Sequence, residues 1–313
     1  MNISLVVPLL NEAGSVEALL DSVLAQDRAP DEVVIVDAGS TDGTASLVQS
    51  WADAHGCGNW VQVILSPGAT PGVGRNVGAR HARGEWIAFT DGGIRLRREW
   101  TTCLSAAAGP GIDVVLGSFD PEVLSLFQQC AAIAYVPAKE SWGGRGPSAV
   151  SIMMRKSFFE GIGGFPPFRA SEDLVFFERM EKAGARVSHA PGAIAEWQTA
   201  PGAVATYRRF ADYSYHNLLA GRGRYWHIGV LRLYILLATA VLVAWWAGVG
   251  AVSAAGLPLF YLARAGKSAW KKRRSFPFST VNPMRLACTA LLLILIDIAT
   301  LAGAIRWLRG SST

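Results

Sequence analysis

The chain has 313 residues, 51% of them hydrophobic, and a formal net charge of +5. That length holds one large core or two smaller ones, and so high an apolar fraction is unusual for a chain that lives in water alone. Four scattered cysteines (Cys57, Cys103, Cys130 and Cys288) without a CxxC spacing exclude a disulfide framework and a zinc site, and fit thiols in a reducing compartment.

The charge is unevenly spread. Residues 213–313 hold 12 Lys/Arg and a single acid, Asp297, which leaves 17 basic against 23 acidic residues in 1–212. Two physically different parts are expected, 1–220 and 221–313, and no nucleic-acid partner.

The start, "MNISLVVPLLNE", lacks a basic flank and a small-residue cleavage site, so it reads as a first strand rather than a signal peptide. Apolar β-rich runs at 3–10, 32–37, 61–65, 85–90 and 113–117 predict strands. Between them "SVEALLDSVLAQ", "TASLVQSWADAH" and "VGRNVGARHAR" repeat apolar residues at helical spacing. Alternating strands and helices with almost wholly apolar strands indicate an α/β, Rossmann-like, mostly parallel sheet covered on both faces. Ligands bind such sheets at the carboxyl ends of the strands. The polar clusters fall there: Asn11 and Glu12 after the first strand, Asp37 to Asp42 after the second, and Asp91 after the fourth.

Further on, "SWGGRGPSAV" is glycine-rich and 149–155 predicts another strand. In "GIGGFPPFRASEDLVFFERMEKAG", Ser171 is placed to cap a helix whose first turn carries Glu172 and Asp173, as the free N–H groups there favour. Beyond 227 the residues 228–250, 251–263 and 286–305 form three apolar segments, the second broken by Gly256 and Pro258. The first and third are long enough to cross a bilayer as helices. Between the second and third, residues 264–285 carry seven Lys/Arg, three aromatics and no acid. Such a loop is held on the cytoplasmic face and attracted to anionic lipid. Asp297 in the third segment is costly in lipid, and is either functional or paired, with Arg232 the partner at hand.

Taken together, "VVPLLNE", "VVIVDAGSTDGT" and "GVGRNVGARHARGEWIAFTDGG" resemble, in order and spacing, the nucleotide-sugar half of family 2 glycosyltransferases with a GT-A fold. The resemblance covers roughly residues 3–215. "GVGRNVGA" also looks like a dinucleotide fingerprint, but it follows the third strand and a Pro/Gly loop instead of the first strand.

The resemblance implies that Pro8, Leu9, Asn11, Glu12, Asp37, Ser40 and Asp42 bind the nucleotide. A ring against Pro8 and Leu9, with Asp37 accepting from a ring N–H, agrees with their chemistry. For Ser40, Thr41 and Asp42, turn and helix-start chemistry is an equal alternative. The resemblance makes Arg75 a diphosphate ligand and Asp91 the first carboxylate of a D-x-D pair that shares Mg²⁺ or Mn²⁺ with the donor. Gly93 stands where the second carboxylate belongs. Either Glu196 or His189 completes the metal site, or Arg75 and Arg95 supply part of the charge. By the same resemblance Asp173 is the base of an inverting transfer and Glu172 orients the acceptor. The same resemblance puts Trp197, Arg208 and Arg209 in a segment that closes the site, with a solvated or lipid-facing basic stripe an equal alternative for the two arginines.

The expectation is a multi-pass inner-membrane glycosyltransferase with its catalytic domain in the cytoplasm. It would move a sugar from a UDP-sugar or other nucleotide sugar to a lipid-linked acceptor, such as polyprenyl phosphate or a glycolipid. The alternatives are a polysaccharide-elongating transferase and a non-catalytic membrane scaffold that keeps the fold.

Overall fold

The computed structural model describes residues 1–248 and 250–310. They form two compact units that interleave in the sequence. Met1–Pro121 with Lys139–Gln198 make one, and Glu122–Ala138 with Thr199–Thr313 make the other.

The N-terminal unit follows the expected alternation: β1 (Ile3–Leu9), α1 (Val16–Leu24), β2 (Glu32–Asp37), α2 (Thr44–Ala54), β3 (Val61–Leu65), α3 (Pro71–His81) and β4 (Trp86–Phe89). It continues through β5 (Ile94–Leu96), α4 (Trp100–Ala107) and β6 (Val114–Glu122), whose last residue passes into the other unit. The chain enters that unit for α5 (Leu126–Tyr135) and returns for β7 (Ile152–Arg155), α6 (Lys156–Gly161), α7 (Glu172–Lys182) and β8 (Val187–Gln198). The sheet order is β3-β2-β1-β4-β7-β6-β8-β5. β1, β2, β3 and β4 pair in parallel, whereas β7 runs antiparallel to β4 and β6, and β5 antiparallel to β8. The sheet is thus parallel from β3 through β4 and antiparallel in the β4–β7, β7–β6 and β8–β5 pairs.

Strand alternation explains why both faces are covered. From β1 and β2, Ile3, Leu5, Val7, Val33 and Ile35 point to one core with Leu19, Trp51 and Trp100. Val6, Val34 and Val36 point to the other, with Phe89, Phe159, Phe165 and Phe176. The latter aromatics pack in a cluster whose Phe165 and Phe176 rings stack at 4.0 Å. Helix α3 lies close on β1 because it is rich in glycine. A Cβ at Gly78 would meet Val6 Cγ1 at 2.3 Å, and one at Gly74 would meet Pro8 Cβ at 3.0 Å. Gly74 and Gly78 of "GVGRNVGA" therefore serve helix-on-strand packing.

The C-terminal unit adds α8 (Ala203–Leu219), α9 (Gly223–Trp246), α10 (Gly250–Lys271) and α11 (Pro283–Leu308) to α5. Among the described residues two stretches are long and apolar enough to cross a membrane, Trp226–Trp246 and Pro283–Leu308, the first with none of its apolar window buried and the second with 44% buried. α10, which contains Pro258, is not a third. The basic segment expected as a loop over 264–285 is helical at both ends, since α10 runs to Lys271 and α11 starts at Pro283. Its Lys and Arg spacing carried no signal of where the helix stopped. Asp297 pairs with Arg264, with Oδ2 also accepting from the Tyr261 hydroxyl at 2.8 Å, so Arg232 is not its partner.

Candidate active site

Two loops at the carboxyl ends of β1 and β2 are stapled together by side chains. Asn11, at φ 56°, donates its N–H to Ser40 Oγ (2.8 Å), and its side-chain oxygen accepts from Thr41 N (2.9 Å). Glu12 N donates to Thr44 Oγ1 (2.8 Å), and Asp42 accepts from Ala13 N (3.0 Å) and from Thr44 N (3.1 Å). The Thr44 hydroxyl and these N–H groups hold the Asp42 carboxyl below its usual range. Asp37 is buried and accepts from Ser40 N (3.1 Å) and the Ser40 hydroxyl. Asn11, Ser40, Thr41 and Asp42 are thus committed to shaping the loops, as turn chemistry would have it. Pro8 and Leu9 end β1 just before them.

The second part of the site lies where α3, β4 and α7 converge. Arg75 is 2% exposed. Its guanidinium donates to Glu172 Oε1 at 3.1 Å and to Asp91 Oδ1 at 2.5 Å, and it lies over the Phe165 ring at 5.1 Å. Burial works against its charge, but Asp91 and Glu172 outweigh burial, and Arg75 holds its proton more firmly than a free arginine. Burial pushes the Glu172 carboxyl up to about 7, against the opposing pull of Arg75, and raises Asp173 as well. Asp173 accepts from Leu174 N at 2.8 Å. Ser171 stands at the N-cap as expected, but at φ 68° and without a side-chain cap bond, so the position is strained rather than capped by its hydroxyl.

Asn76 holds the adjoining turn, donating to Phe165 O (2.8 Å) and accepting from Phe165 N (2.9 Å). Gly164 beside it has φ 62°, and a Cβ there would lie 2.5 Å from Asn76 Oδ1. Gly72 in the first turn of α3 is equally confined, because its Cβ would meet Pro166 O at 2.7 Å. Arg75 and Asn76 therefore bind one helix face to the segment that carries Glu172 and Asp173, a link between distant residues that local pattern does not show.

At the position of the missing carboxylate, Gly93, a Cβ would stand 3.7 Å from Glu12 Oε2. At Gly92 it would collide with Glu12 Cγ at 2.6 Å, so glycine is required there. Glu12 thus reaches the Asp91 turn. Glu196, one partner weighed for a metal at Asp91, is engaged by Arg95 (2.9 Å) and Arg97 (3.1 Å), and His189, the other, packs on the Trp142 ring at 4.6 Å. Arg95 faces Glu196 across the β5–β8 pair and belongs to that ion-pair ladder. Trp197, paired with Ile94, packs edge-on against Phe119. Arg208 and Arg209 lie on α8, in the C-terminal unit. No group of three or more His, Cys, Asp or Glu side chains suited to a metal occurs among the described residues. Asp91 and Glu12 both bring carboxylates to this turn, Glu12 also accepting from the Ser15 hydroxyl, and carboxylate oxygen is the donor type that Mg²⁺ and Mn²⁺ accept.

A mostly parallel sheet with carboxylates at its strand ends, extended by antiparallel strands, defines a GT-A fold. Residues 4–129 match the model of Glycosyl transferase family 2. Glycosyltransferase AglE of Haloferax volcanii is 27% identical over 190 residues, covering 58% of this chain and 62% of its own. The chain spans less than two thirds of the length of the curated relatives it matches. A mannosyltransferase from Pyrobaculum calidifontis, solved with GDP-mannose and Mn²⁺, has a TM-score of 0.58 at 21% identity, covering 99% of this chain and 88% of its own. TarS 1–349 of S. aureus, solved with UDP-GlcNAc, has a TM-score of 0.50 at 21% identity, covering 68% of this chain and 64% of its own. These two likenesses concern the fold.

Proposed function

We propose that the chain is a membrane-anchored, inverting glycosyltransferase that moves a sugar from a nucleotide diphosphate donor to a lipid-linked acceptor. The observation that carries this reading is the junction of Asp91, Arg75, Glu172 and Asp173, which couples the donor-side strand end to the acceptor-side helix. The family match of residues 4–129, and the GDP-mannose and UDP-GlcNAc held by proteins of like fold, support a nucleotide-sugar donor.

In the proposed reaction an acceptor hydroxyl attacks the anomeric carbon, the bond to the diphosphate breaks, and Asp173 takes the proton. Burial makes Asp173 a stronger base than a free aspartate. Glu172, held by Arg75, orients the acceptor side. Pro8, Leu9 and Asp37 face the base of the donor, and Arg75 and Arg95 remain the arginines proposed for its diphosphate. Asp91 and Glu12 would hold Mg²⁺ or Mn²⁺, which supplies charge against the leaving diphosphate when bound. Trp197, on the catalytic unit, is proposed to close on the acceptor.

The membrane part of the reading rests on α9 and α11. We place the catalytic unit in the cytoplasm. The residues between α10 and α11, with Arg273 over Trp270 and Phe276 stacked on Phe278, would sit among anionic headgroups on the same side.

The test is a donor screen on the full chain in lipid nanodiscs, with and without chelator. Release of nucleotide diphosphate coupled to sugar transfer into an organic-extractable lipid is expected, falling roughly 10²–10⁴-fold in Asp173→Asn. Nucleotide binding without turnover of any donor would favour the scaffold reading, and a product that stays in the water phase would favour the polysaccharide one.

A further inference from the structure

The C-terminal unit contains a cavity of about 460 Å³ lined from α5, α8, α9, α10 and α11, within the range of roughly 300–1,000 Å³ usual for small-molecule sites. Its wall has two characters. Tyr135, Phe210 and Trp226 give ring surface, with the Tyr135 and Phe210 rings set edge to face at 5.2 Å, and Leu233, Leu293 and Ile296 give an aliphatic lining. Arg264 and Asp297 are the charged groups among the described lining residues.

The charged pair decides what the cavity accepts. Asp297 is 2% exposed and takes donors from Arg264 and from Tyr261, whose hydroxyl is 2.9 Å from that of Tyr234. The Arg264 charge is therefore balanced within the wall, and Arg264, whose guanidinium carries more N–H groups than its two bonds to Asp297 use, lines the cavity beside it. Asp297 Oδ1 takes a long bond from Arg264, at 3.4 Å, and a carboxylate oxygen has room for a second donor. A phosphate would bring uncompensated negative charge into a low-dielectric site whose one cation is already paired. A hydroxyl suits it, because it both accepts from Arg264 and donates to Asp297.

We propose that this cavity binds an amphiphile with an uncharged, hydroxylated head, such as a glycosylated or polyol lipid. The head's hydroxyls exchange hydrogen bonds with Arg264 and Asp297, ring faces cover its C–H surface, and its chain leaves along the aliphatic lining. The inference rests on the proposed bilayer placement of α9 and α11, and not on the donor chemistry.

The experiment uses the full chain in phosphatidylcholine nanodiscs with three diazirine-tagged lipids of equal chains: monoglucosyl diacylglycerol, diacylglycerol and phosphatidic acid. Peptides of α9 and α11 should be labelled at least fivefold more by the glucosyl lipid than by either other. The excess should vanish in Leu233→Trp, which fills the cavity, and in the double variant Arg264→Leu/Asp297→Leu, which removes the polar pair without changing net charge. Val230→Phe serves as a second filling variant if Leu233→Trp does not fold. Equal labelling by all three lipids, a phosphatidic acid preference, or an excess that survives filling would overturn the proposal. Labelling without donor turnover would sink the transferase reading and leave this one standing, and turnover without selective labelling would do the reverse.

Discussion

Glu172 carries a measurable consequence of its burial. In the folded chain its carboxyl is pushed up to about 7 from 4.5, so folding takes up a proton between those values. The stability this contributes is fully present below the unfolded value and is lost as pH rises through the folded one. Glu172→Gln mimics the neutral form. Its stability relative to the unaltered chain should rise from about zero near pH 4 to about 3 kcal/mol near pH 8, at 1.36 kcal/mol per unit. Parallel stability curves from denaturant titrations across that range would contradict the shift. At the Asp91 turn, Gly93→Asp puts a third carboxylate beside Glu12 and Asp91. Calorimetry with nucleotide diphosphate present should show Mn²⁺ bound about tenfold tighter, and about tenfold weaker in Glu12→Gln, since carboxylate count tunes such sites. Unchanged affinity in both would leave Asp91 without Glu12 as its partner. Asp37, Asp91, Glu172 and Asp173 stood out in the sequence because acids follow apolar runs there or open a helix. Glu12 beside Gly93, and Arg75 sealed between Asp91 and Glu172, did not, because these approaches exist only once β1, α3 and α7 have packed.

Among the elements, α3 shows packing overriding helix preference. Alanine at position 78 should gain about 1 kcal/mol by propensity. Its Cβ would fall 2.3 Å from Val6 Cγ1, however, and over-packing costs about 1–3 kcal/mol. Gly78→Ala is expected to be net destabilising in thermal unfolding, whereas Gly14→Ala, with nothing within 4 Å of its Cβ, is the matched control. A stabilised Gly78→Ala would mean that α3 rides higher on β1. The strands β1, β2 and β4 were readable because each is an apolar run buried on both faces, and β3, at the sheet edge, as a short apolar run only partly covered. β5 has three residues, with Arg95 exposed at its centre, and β8 mixes exposed and buried positions, so neither offered an apolar run. The Ser171 expectation failed differently: residue type located the helix start, but the backbone there adopts φ 68°, which no capping preference contains.

For the whole molecule, the charge split announced two parts, and the apolar segments announced α9 and α11. Exposed Leu236, Leu242, Trp245 and Trp246 on α9 form a surface that water does not tolerate well over such a length. The full chain is expected to stay in the membrane fraction through alkaline carbonate and to need detergent for release, and quantitative release by carbonate would argue against spanning helices. Composition did not reveal that α5 joins the C-terminal unit while the residues on either side of the 122–138 stretch belong to the sheet. α5 is apolar enough to be buried in either unit, and only its packing against α10 and α11 decides.

That interleaving sets an order for synthesis on the ribosome. α5 emerges with Cys130, Ala131 and Ile133 ready for burial, but the segment that covers Cys130 and Ala131, around Leu292 on α11, is made much later. At roughly 5–20 residues per second the delay is about ten to thirty seconds. During that time a nascent chain with most of its sheet already translated must carry an uncovered apolar helix, so the packing of α11 on α5 would be the step that completes the fold.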